Sequence, residues 1–509
     1  MGSRSTPTSP ASRRCCRASP ARSCWTGRRA EASIVNFVRA PLLAAIGFFC
    51  ANAAAEQGPS APRVVAIVDA TVVHPDRDGA DAIRPHTTVV IEGSRISQVG
   101  PSSSTPVPKG AQVVDGAGKW LIPGLIDGHV HFFQSGNFYT RPDGLDLTKR
   151  VPYASEVARN KARLAATFKV WIASGVTTVV DVGGPLWNFE VRKAAQASEA
   201  APHVAVAGPL VSMVADPKLE LDDPPIIKAA TAEEGVRLVA RQLPYQPDYI
   251  KVWFIHEQGT DLAAQEAIVR AVGETAHTAG VPLAVHATEL VTAKAALRAG
   301  ADYLVHSVGD EPVDAEFLDL AKRNKALYCP TLWVISGYRY AFAGLWRPTQ
   351  AEQRLADPQI LAMMRDLERI PKEELPPRIV ERMAEAKTPP PPTMMLRNLK
   401  SVHDAGVPVV MGTDAGNIGT LHGPSVFREM ALMQEAGLTP LQVLRAATVN
   451  GARAARREST VGTIAPGAAA DLVLLTADPT VDINNAARIY RVFRKGRMFD
   501  PDELIVSIR

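Results

Sequence analysis

Hydrophobic positions at both ends of the chain follow the short, bounded rhythm of β-strands. From Val64 onward, the runs VVAIVDATVVH, TTVVIEGSRISQVG and AQVVDGAG are each bounded by Gly, Pro or Asp, which is typical of an all-β unit. Strand-like runs return near the C-terminus in DLVLLTAD and IYRVFRKGRMFD. Because an isolated hairpin is only marginally stable, residues 62–120 and 455–509 are predicted to form one composite β-sandwich domain.

Between these segments, apolar runs alternate with Ala-rich segments that are typical of helices. Counting the run that ends at His131, eight strands fit between Leu121 and Gly416: the others are GVTTVVDVGG, HVAVAGP, YIKVWF, PLAVHAT, DYLVHSV, LYCPTLWV and PVVMGTDAG. Strands that alternate with helices indicate a parallel sheet. We therefore predict an α/β fold with a (β/α)8 TIM-like barrel over residues 121–454. A doubly wound open sheet is the alternative, which is less favoured because polar residues collect at the ends of many strands.

Residues 336–395, between the seventh and eighth predicted strands, form an unusually long connection. This segment carries the helical run PQILAMMRDLERI and then TPPPPT. Long insertions at the functional face of a fold tend to be lids or specificity loops. We expect the insertion to shape substrate entry.

The N-terminus has the pattern of a targeting segment. A region rich in Ser, Arg and Pro precedes the apolar run APLLAAIGFFCANAAA, which ends in small residues. This pattern favours a signal peptide over residues 1–55, with cleavage near Ala55 and export to the periplasm or the medium. A disordered leader and a translation start as late as Val35 are the alternatives, and the run is too short for a membrane span.

Composition limits the partners and the redox chemistry. The net charge of +4 with 21% charged residues gives no electrostatic footprint for a nucleic-acid partner. Four of the five cysteines precede Ala55, so the mature chain keeps only Cys329 and has no internal disulfide. Cys329 lies in an apolar strand, where a buried inert thiol is favoured over a nucleophile.

Two histidines, His129 and His131, end the apolar run LIPGLIDGHVHFF. Side chains at positions i and i+2 of a strand point to the same side, so the pair is a candidate metal clamp. A core histidine explains such a pair about as well when it stands alone. Further candidates end other strands, namely His286, His306 and Asp414, where a barrel keeps its active site.

Lys251, in PDYIKVWF, ends an apolar strand inside the predicted barrel. An isolated buried ammonium is costly, and it has no lone pair to offer a metal. A lysine carboxylated by carbon dioxide carries a carbamate, which can bridge two cations. The alternative is an ammonium paired with Asp181 or Asp414.

These motifs together resemble the metal-dependent amidohydrolase superfamily, and within it the imidazolonepropionase-like and prolidase-like branch. The resemblance covers most of the mature chain and rests on PGLIDGHVH, GVTTVVDVGG, YIKV, VHAT, VHS, GTDAG, EMALMQEAGLTPLQVLRAATVNGARA and VGTIAPGAAADLVLL. It implies that His129 and His131 bind the more buried of two metal ions and that His286 and His306 bind the more exposed one. It further implies that carboxylated Lys251 bridges both ions.

By the same resemblance, Asp414 binds the buried ion and handles the proton. The expected cofactors are two divalent ions, with zinc named first, although manganese, iron or cobalt would suit the same residues. Metal lowers the pKa of bound water to about 7, so hydroxide can attack a carbonyl while Asp414 passes the proton to the leaving nitrogen. The expected activity is hydrolysis of an amide or peptide bond in a small molecule or short peptide. A homo-oligomer is also compatible with the sequence.

Two further residues, His422 and Glu289, are weaker candidates for the site. His422, in GTLHGPS, either touches substrate or is a solvated loop histidine. Glu289, three residues after His286, matches the Glu that protonates the substrate ring in the deaminase branch, whose enzymes use one metal. A mononuclear aminohydrolase or cyclic-amide hydrolase is therefore the alternative function, against which Lys251 argues. A third possible function is that of a binding protein on an inactive hydrolase scaffold. The presence of all six metal-ligand candidates argues against this function.

Overall fold

The computed structural model describes residues 63–385 and 387–509. All of them belong to one compact unit, Ala61–Arg509. The predicted signal peptide and its cleavage near Ala55 lie outside the described residues, so both stay predictions. None of the helices within the described ranges has the length and hydropathy needed to cross a membrane.

The described residues contain two kinds of β-structure, one mostly antiparallel and one parallel. In chain order the strands are β1 Val64–Val73, β2 Ile83–Glu92, β3 Arg95–Pro101, β4 Gln112–Asp115, β5 Trp120–Pro123, β6 Leu125–Val130, β7 Val176–Asp181, β8 His203–Val206, β9 Leu210–Ser212, β10 Ile226–Lys228, β11 Ile250–Trp253, β12 Leu283–His286, β13 Tyr303–Val305, β14 Leu327–Cys329, β15 Leu472–Leu475, β16 Ile489–Arg494 and β17 Arg497–Phe499.

Helices follow most of the parallel strands and fill the long insertion. In chain order they are α1 Tyr153–Ala162, α2 Leu164–Ala173, α3 Asn188–Ala197, α4 Ala232–Gln242, α5 Leu262–Thr278, α6 Leu290–Arg298, α7 Ala315–Arg323, α8 Leu332–Phe342, α9 Gln350–Leu355, α10 Pro358–Met363, α11 Pro377–Glu385, α12 Thr393–Asp404, α13 Ser425–Glu435, α14 Pro440–Ala446, α15 Val449–Ala454 and α16 Pro501–Val506. Side chains that accept backbone N–H groups fix several of their starts, among them Thr231 at α4 and Asp261 at α5.

One sheet combines strands from both ends of the chain. Its order is β17-β16-β15-β5-β1-β2-β3, with β4 also paired to β1. The two chain ends meet where β5 pairs antiparallel with β15, Leu472 opposite Pro123. Alternate residues of β1 and β15 pack into one apolar cluster, as the alternating pattern predicts.

The position of β5 differs from the predicted boundary. Leu121 was expected to begin the barrel, yet Trp120–Pro123 pairs with β1 and β15 in the sheet of the chain ends. The chain passes to the parallel strands at Gly124, where a Cβ atom would lie 2.1 Å from the Thr177 hydroxyl oxygen. A glycine is needed at this close approach because no side chain fits there.

Parallel strands form two further sheets, as the alternation of strands and helices predicts. One has the order β6-β7-β8 and the other β10-β9-β11-β12-β13-β14. Every residue of β6 and β7 is buried, as expected where both faces of a parallel sheet are covered. The fold is therefore a mixed α/β fold, as predicted at that level.

Single parallel bridges connect these two sheets at both sides. Ala207, after β8, pairs with Tyr249, before β11, and the segment 409–415 makes bridges through Val409 to Tyr328 and through Ala415 to Val130. The run PVVMGTDAG, residues 408–416, was predicted as a strand. It makes isolated bridges instead, and the interruption falls at Gly412 and at Asp414, whose φ is +61°.

The run LYCPTLWV is also only partly a strand. β14 ends at Cys329, and α8 begins at Leu332, four residues before the predicted start of the insertion. Pro330 lacks an N–H group for the ladder, and Thr331 has a φ of +44°. The insertion itself is mostly helical, and its Phe342, Leu367 and Ile379 pack in one apolar cluster with Leu145, from the loop after β6, and with Ile418.

Candidate metal centre and active-site cavity

The six predicted metal ligands lie at or near the C-terminal ends of the parallel strands. His129 and Lys251 are within β6 and β11, and His286 is the last residue of β12. His131 follows β6, His306 follows β13, and Asp414 lies in the bridge segment 409–415. These three residues are buried, as are His129 and Lys251.

His129, His131 and Asp414 form the tightest part of the cluster. The Nε2 atoms of the two histidines are 3.3 Å apart. Asp414 Oδ1 is 3.3 Å from His129 Nε2 and 3.1 Å from His131 Nε2. One potential ligand atom from each residue lies within 4.8 Å of the others, so the three side chains can hold one cation between them.

The two remaining histidines extend this cluster. The ring centroids of His286 and His306 are 4.3 Å apart, and His306 lies 4.8 Å from His129. His306 Nδ1 is also 3.9 Å from Asp414 Oδ2. The structure therefore brings all five histidine and aspartate candidates into one continuous group.

Hydrogen bonds outside the cluster fix the orientation of two rings. His131 Nδ1 is 2.6 Å from the Gly183 carbonyl oxygen, to which it donates, and His306 Nδ1 is 2.8 Å from the Thr331 hydroxyl. In neutral His131 the donated proton leaves a lone pair on Nε2, the atom that faces Asp414 Oδ1. Such orienting partners are typical of metal-binding histidines.

Burial and neighbouring positive groups favour neutral imidazoles here. Burial lowers the pKa of His129, His286 and His306 well below the usual value, and Lys251 acts in the same direction on all three. A neutral imidazole carries the lone pair that a metal ligand needs.

Lys251 has no polar partner among the described residues. Its side chain is 1% exposed, and its Nζ atom is buried without a hydrogen bond. Burial lowers its pKa to about 7, against the opposing effect of Asp414. The predicted alternative, an ion pair with Asp181 or Asp414, is not formed within 4.0 Å in the described residues. Asp181 instead accepts the Phe132 N–H at 3.0 Å.

Three residues of this region hold backbone conformations that non-glycine residues rarely adopt. The φ angles are +78° at His306, +61° at Asp414 and +44° at Thr331. Such conformations cost about 1–3 kcal/mol each and cluster at functional sites. Two of these residues, His306 and Asp414, are predicted ligands, and the hydroxyl of the third, Thr331, orients the His306 ring.

A cavity of about 570 Å³ opens above the cluster. Its lining includes His131, Lys251, His286, His306 and Asp414, while fully buried His129 lies beneath it. The size is that of a site for a small organic molecule or short peptide. Residues of the insertion complete the wall, namely Ile335, Tyr338, Arg339, Phe342, Arg378 and Met395.

The two weaker candidates lie outside this lining. Glu289 is half-buried at the residue that precedes α6. His422 lines a separate small cavity, where its Nε2 atom donates to the His131 carbonyl at 3.1 Å and its ring stacks on Phe132. Burial lowers the pKa of His422 to about 4, and its predicted contact with substrate stays a prediction.

Cys329 is buried, as the sequence predicts. Burial raises the pKa of its thiol well above the usual value. A Cβ atom at Gly412 would lie 2.4 Å from its sulfur and 2.9 Å from the His129 nitrogen. The thiol therefore packs beneath the site.

Sequence reasoning missed several residues around the site. Asp127 accepts N–H groups of His129 and Thr413 at 3.1 and 3.0 Å, so it joins β6 to the segment that carries Asp414. Arg141 reaches the cavity wall and donates to Asn417 Oδ1 at 2.8 Å. A polar residue on a buried strand, such as Asp127, was a usable signal, whereas Arg141 lies in a loop with no motif.

The cluster suits divalent metal ions. Asp414 Oδ1 lies 3.1 Å from His131 Nε2 and 3.3 Å from His129 Nε2, so the three atoms are placed to hold one cation between them. Asp414 Oδ1 and His129 Nδ1 are also buried without a hydrogen bond. Imidazole nitrogen and carboxylate oxygen are preferred ligands of zinc and similar ions.

Comparisons with known proteins agree with this arrangement. The sequence model of the amidohydrolase family matches residues 120–323 and 361–499, more than half of the chain. An imidazolonepropionase of Acidiphilium cryptum is 32% identical over 121 residues, which are 21% of this chain and 30% of that protein. An imidazolonepropionase of Streptomyces avermitilis is 27% identical over 426 residues, covering 80% of this chain and 86% of the relative.

Among solved structures, a Xaa-Pro dipeptidase with bound methionine in its active site matches with a TM-score of 0.65. The match has 22% sequence identity and covers 86% of this chain and 100% of the dipeptidase. At this identity the likeness supports a shared fold. The family match and the cluster together confirm the resemblance predicted from the sequence. This chain belongs to the amidohydrolase family.

Proposed function

We propose that this protein is a metal-dependent hydrolase that cleaves an amide or peptide bond in a small molecule or short peptide, with two divalent ions in its active site. The observation that carries the proposal is Lys251, a buried lysine without a polar partner beside four histidines and an aspartate. A carboxylated Lys251 would place a negative charge beside the metal ions that the histidines would hold. The family match and the dipeptidase-like fold support the same activity.

The residues divide into two ligand sets. His129, His131 and Asp414 would hold the deeper ion, and His286 with His306 the ion nearer the cavity. Carboxylated Lys251 would be shared by both ions. Zinc is the first candidate because these residues supply nitrogen and oxygen ligands, although other divalent ions prefer them as well. When bound, such ions lower the pKa of a water molecule and polarise a substrate carbonyl.

The chain's own groups would move the proton. Asp414 Oδ1 faces His129 and His131 and would bind the deeper ion, which leaves Oδ2 as the oxygen that can take up a proton. A carboxylate with a free oxygen can accept the proton of the attacking water and return it to the leaving nitrogen. His131, held by Gly183, keeps the neighbouring position rigid during this transfer.

Arg141 supports a substrate that carries a carboxylate. Its Nη1 atom donates to Asn417, and its Nε and Nη2 atoms donate to Asp143. A guanidinium has five N–H donors, and those that these contacts leave unused can bind a second carboxylate. Arg339 and Arg378 line the same cavity, and these cations favour acidic substrates.

We further propose that the parallel strands close into an eight-stranded barrel and that the sheet of the chain ends belongs to a β-sandwich domain. The bridges from Ala207 to Tyr249, from Tyr328 to Val409 and from Val130 to Ala415 support closure. The pairing of β5 with β15 supports a composite domain built from residues 62–120 and 455–509. The signal-like leader supports export.

Metal analysis of Lys251 variants tests the two-ion proposal. Wild-type protein should hold two ions per chain, and Lys251→Ala should lose metal and activity together, with partial rescue by a short carboxylic acid. Lys251→Arg should not restore activity, because guanidinium stays cationic. Lys193→Ala, at an exposed lysine of α3, is the matched control. One ion in a fully active wild type would end the proposal.

The alternative is a mononuclear aminohydrolase or cyclic-amide hydrolase. The compact group of His129, His131 and Asp414 favours it, because these three alone can hold one ion. It expects little change in metal content on removal of Lys251 and loss of activity in Glu289→Gln. The position of Glu289 outside the cavity lining argues against it.

A further inference from the structure

A second polar cavity lies away from the metal site. It has a volume of about 180 Å³ and is lined by residues from four separate segments. These are Gln196 at the end of α3, His203 at the start of β8, Arg457 after α15, and Arg494 with Lys495 at the turn between β16 and β17. On the same measure a single water needs roughly 10–15 Å³, so the cavity has room for a polyatomic ion.

Positive charge dominates this cavity. Arg457, Arg494 and Lys495 are cationic, and Asp471 is the one carboxylate within 4.0 Å of a lining group among the described residues. With His203 neutral, three positive charges face one negative charge. Burial lowers the pKa of Lys495, and the charges of Arg494 and Arg457 lower it further. The local charges are therefore unbalanced by about two units.

Asp471 is already fully engaged. It accepts the Lys495 backbone N–H at 2.7 Å, contacts Arg494 Nη1 at 3.3 Å and lies 3.2 Å from His203 Nε2. This single carboxylate cannot also neutralise Arg457, which has no ion-pair partner in the described part of the chain.

Donors remain unused at the cavity. Arg494 is 1% exposed and uses Nε for the Ala201 carbonyl at 2.9 Å and Nη1 for Asp471, while its Nη2 atom makes no hydrogen bond to the described residues. Lys495 Nζ donates to the Gln196 carbonyl at 3.3 Å, which leaves two of its three N–H groups. Arg494 Nη2 and the free N–H groups of Lys495 are therefore available to an acceptor that enters the cavity.

We propose that this cavity binds a small dianionic tetrahedral oxyanion, namely phosphate, free or as the end group of a phosphomonoester. Two negative charges balance the excess, and four oxygens can accept from Arg457, Arg494 and Lys495. The ion would join the turn between β16 and β17 to β8 and α3, so it would stabilise the folded protein. The site is independent of the proposed hydrolase activity.

Calorimetric titration with inorganic phosphate tests this assignment, with glycerol 3-phosphate as a second arm and sodium chloride at matched ionic strength as the blank. We expect saturable binding to wild type and a rise in Tm that the chloride blank does not give. The double variant Arg457→Gln with Lys495→Gln should weaken binding by about tenfold or more per removed cation. Binding in the first arm alone assigns the site to free phosphate, and binding in both assigns it to the phosphoryl group.

A matched control separates specific binding from surface charge and from the metal site. The control is the double variant Arg453→Gln with Lys193→Gln, which removes one cation from α15 and one from α3. Neither Arg453 nor Lys193 lines the cavity, so this variant should bind phosphate as wild type does. Circular dichroism without phosphate checks that each variant folds. Unchanged phosphate affinity in the Arg457 and Lys495 double variant would overturn the proposal, because binding would then lie elsewhere, such as at bound metal.

Discussion

At the scale of single residues, the active-site region keeps conformations and protonation states that its surroundings impose. His306 and Asp414 both have positive φ angles, and both side chains point into the cluster. The cost of about 1–3 kcal/mol per residue is acceptable only where packing on all sides fixes the backbone. Gly412, with a Cβ position 2.4 Å from the Cys329 sulfur, shows how closely the segment before Asp414 packs.

Asp414→Asn is expected to fold and to retain most metal but to lose turnover. The amide keeps one oxygen near His131 Nε2, now 3.1 Å from the carboxylate, yet it cannot accept a proton. Loss of a well-placed general base costs about 10² to 10⁴ in rate. Steady-state kinetics with metal analysis on the same samples checks this. A kcat near the wild-type value would assign the base elsewhere, with Glu289 the first residue to test.

Arg141→Met is expected to raise KM for substrates with a free carboxylate by about tenfold or more, since a charge-assisted hydrogen bond is worth about 1.5–3 kcal/mol. Metal content should not change, because Arg141 contacts Asp143 and Asn417 rather than the histidines. The control is the same substrate with its carboxylate converted to an amide, for which both proteins should have similar KM values. An equal loss on both substrates would assign Arg141 a purely structural role.

At the scale of elements, the helical insertion forms one wall of the cavity over a strand-borne cluster. Ile335 and Tyr338 of α8 line the cavity together with Met395 of α12. The insertion packs in one apolar cluster with Leu145 and Ile418, so this wall is anchored to the loops that follow β6 and the bridge segment. The residues of this wall and the candidate metal ligands therefore lie on different elements.

Ile335→Trp should change substrate selectivity while metal content stays the same. Ile335 is 36% exposed and faces the cavity, so the larger ring reduces the space for bulky substrates. A panel of dipeptides and N-acyl amino acids of increasing size measures the effect as ratios of kcat/KM. Val291→Trp, at an exposed residue of α6 outside the lining, is the control. An unchanged substrate profile would show that this wall does not select substrates.

At the scale of the whole molecule, long-range contacts join the two chain ends to the parallel strands. The Gly124 N–H donates to the Asp471 carbonyl at 2.8 Å. Gly124 lies between β5, of the sheet of the chain ends, and β6, the first parallel strand. Arg494 Nε donates to Ala201, just before β8. Folding of the C-terminal strands is thus coupled to the sheet that carries the site, although the two are far apart in sequence.

The leader gives a prediction for the full-length chain. Export should produce a mature N-terminus near Ala55, because an apolar run with a small-residue end is the pattern of a cleaved signal peptide. N-terminal sequencing of protein from the periplasm or medium is the measurement. Leu43→Arg, which interrupts the apolar run, should keep the protein inside the cell. An exported protein that retains its Arg-rich start would contradict the prediction.

The sequence by itself determined the family, the parallel α/β character and the set of candidate ligands. It could do so because alternation of short apolar runs with helical segments is a local property, and because polar residues such as His129 and Lys251 are conspicuous at the ends of buried strands. Buried Cys329 followed from the same local apolarity.

Only the tertiary structure decided how these residues meet. The 3.1 Å approach of Asp414 to His131 depends on a positive φ and on packing across the strands, which no local pattern encodes. Nor does a local pattern show that no carboxylate of the described residues lies within 4.0 Å of the Lys251 amine. The same holds for the pairing of β5 with β15 in the sheet of the chain ends. The cations that line the second cavity, Arg457, Arg494 and Lys495, lie in two segments that are far apart in sequence, and only folding brings their charges together.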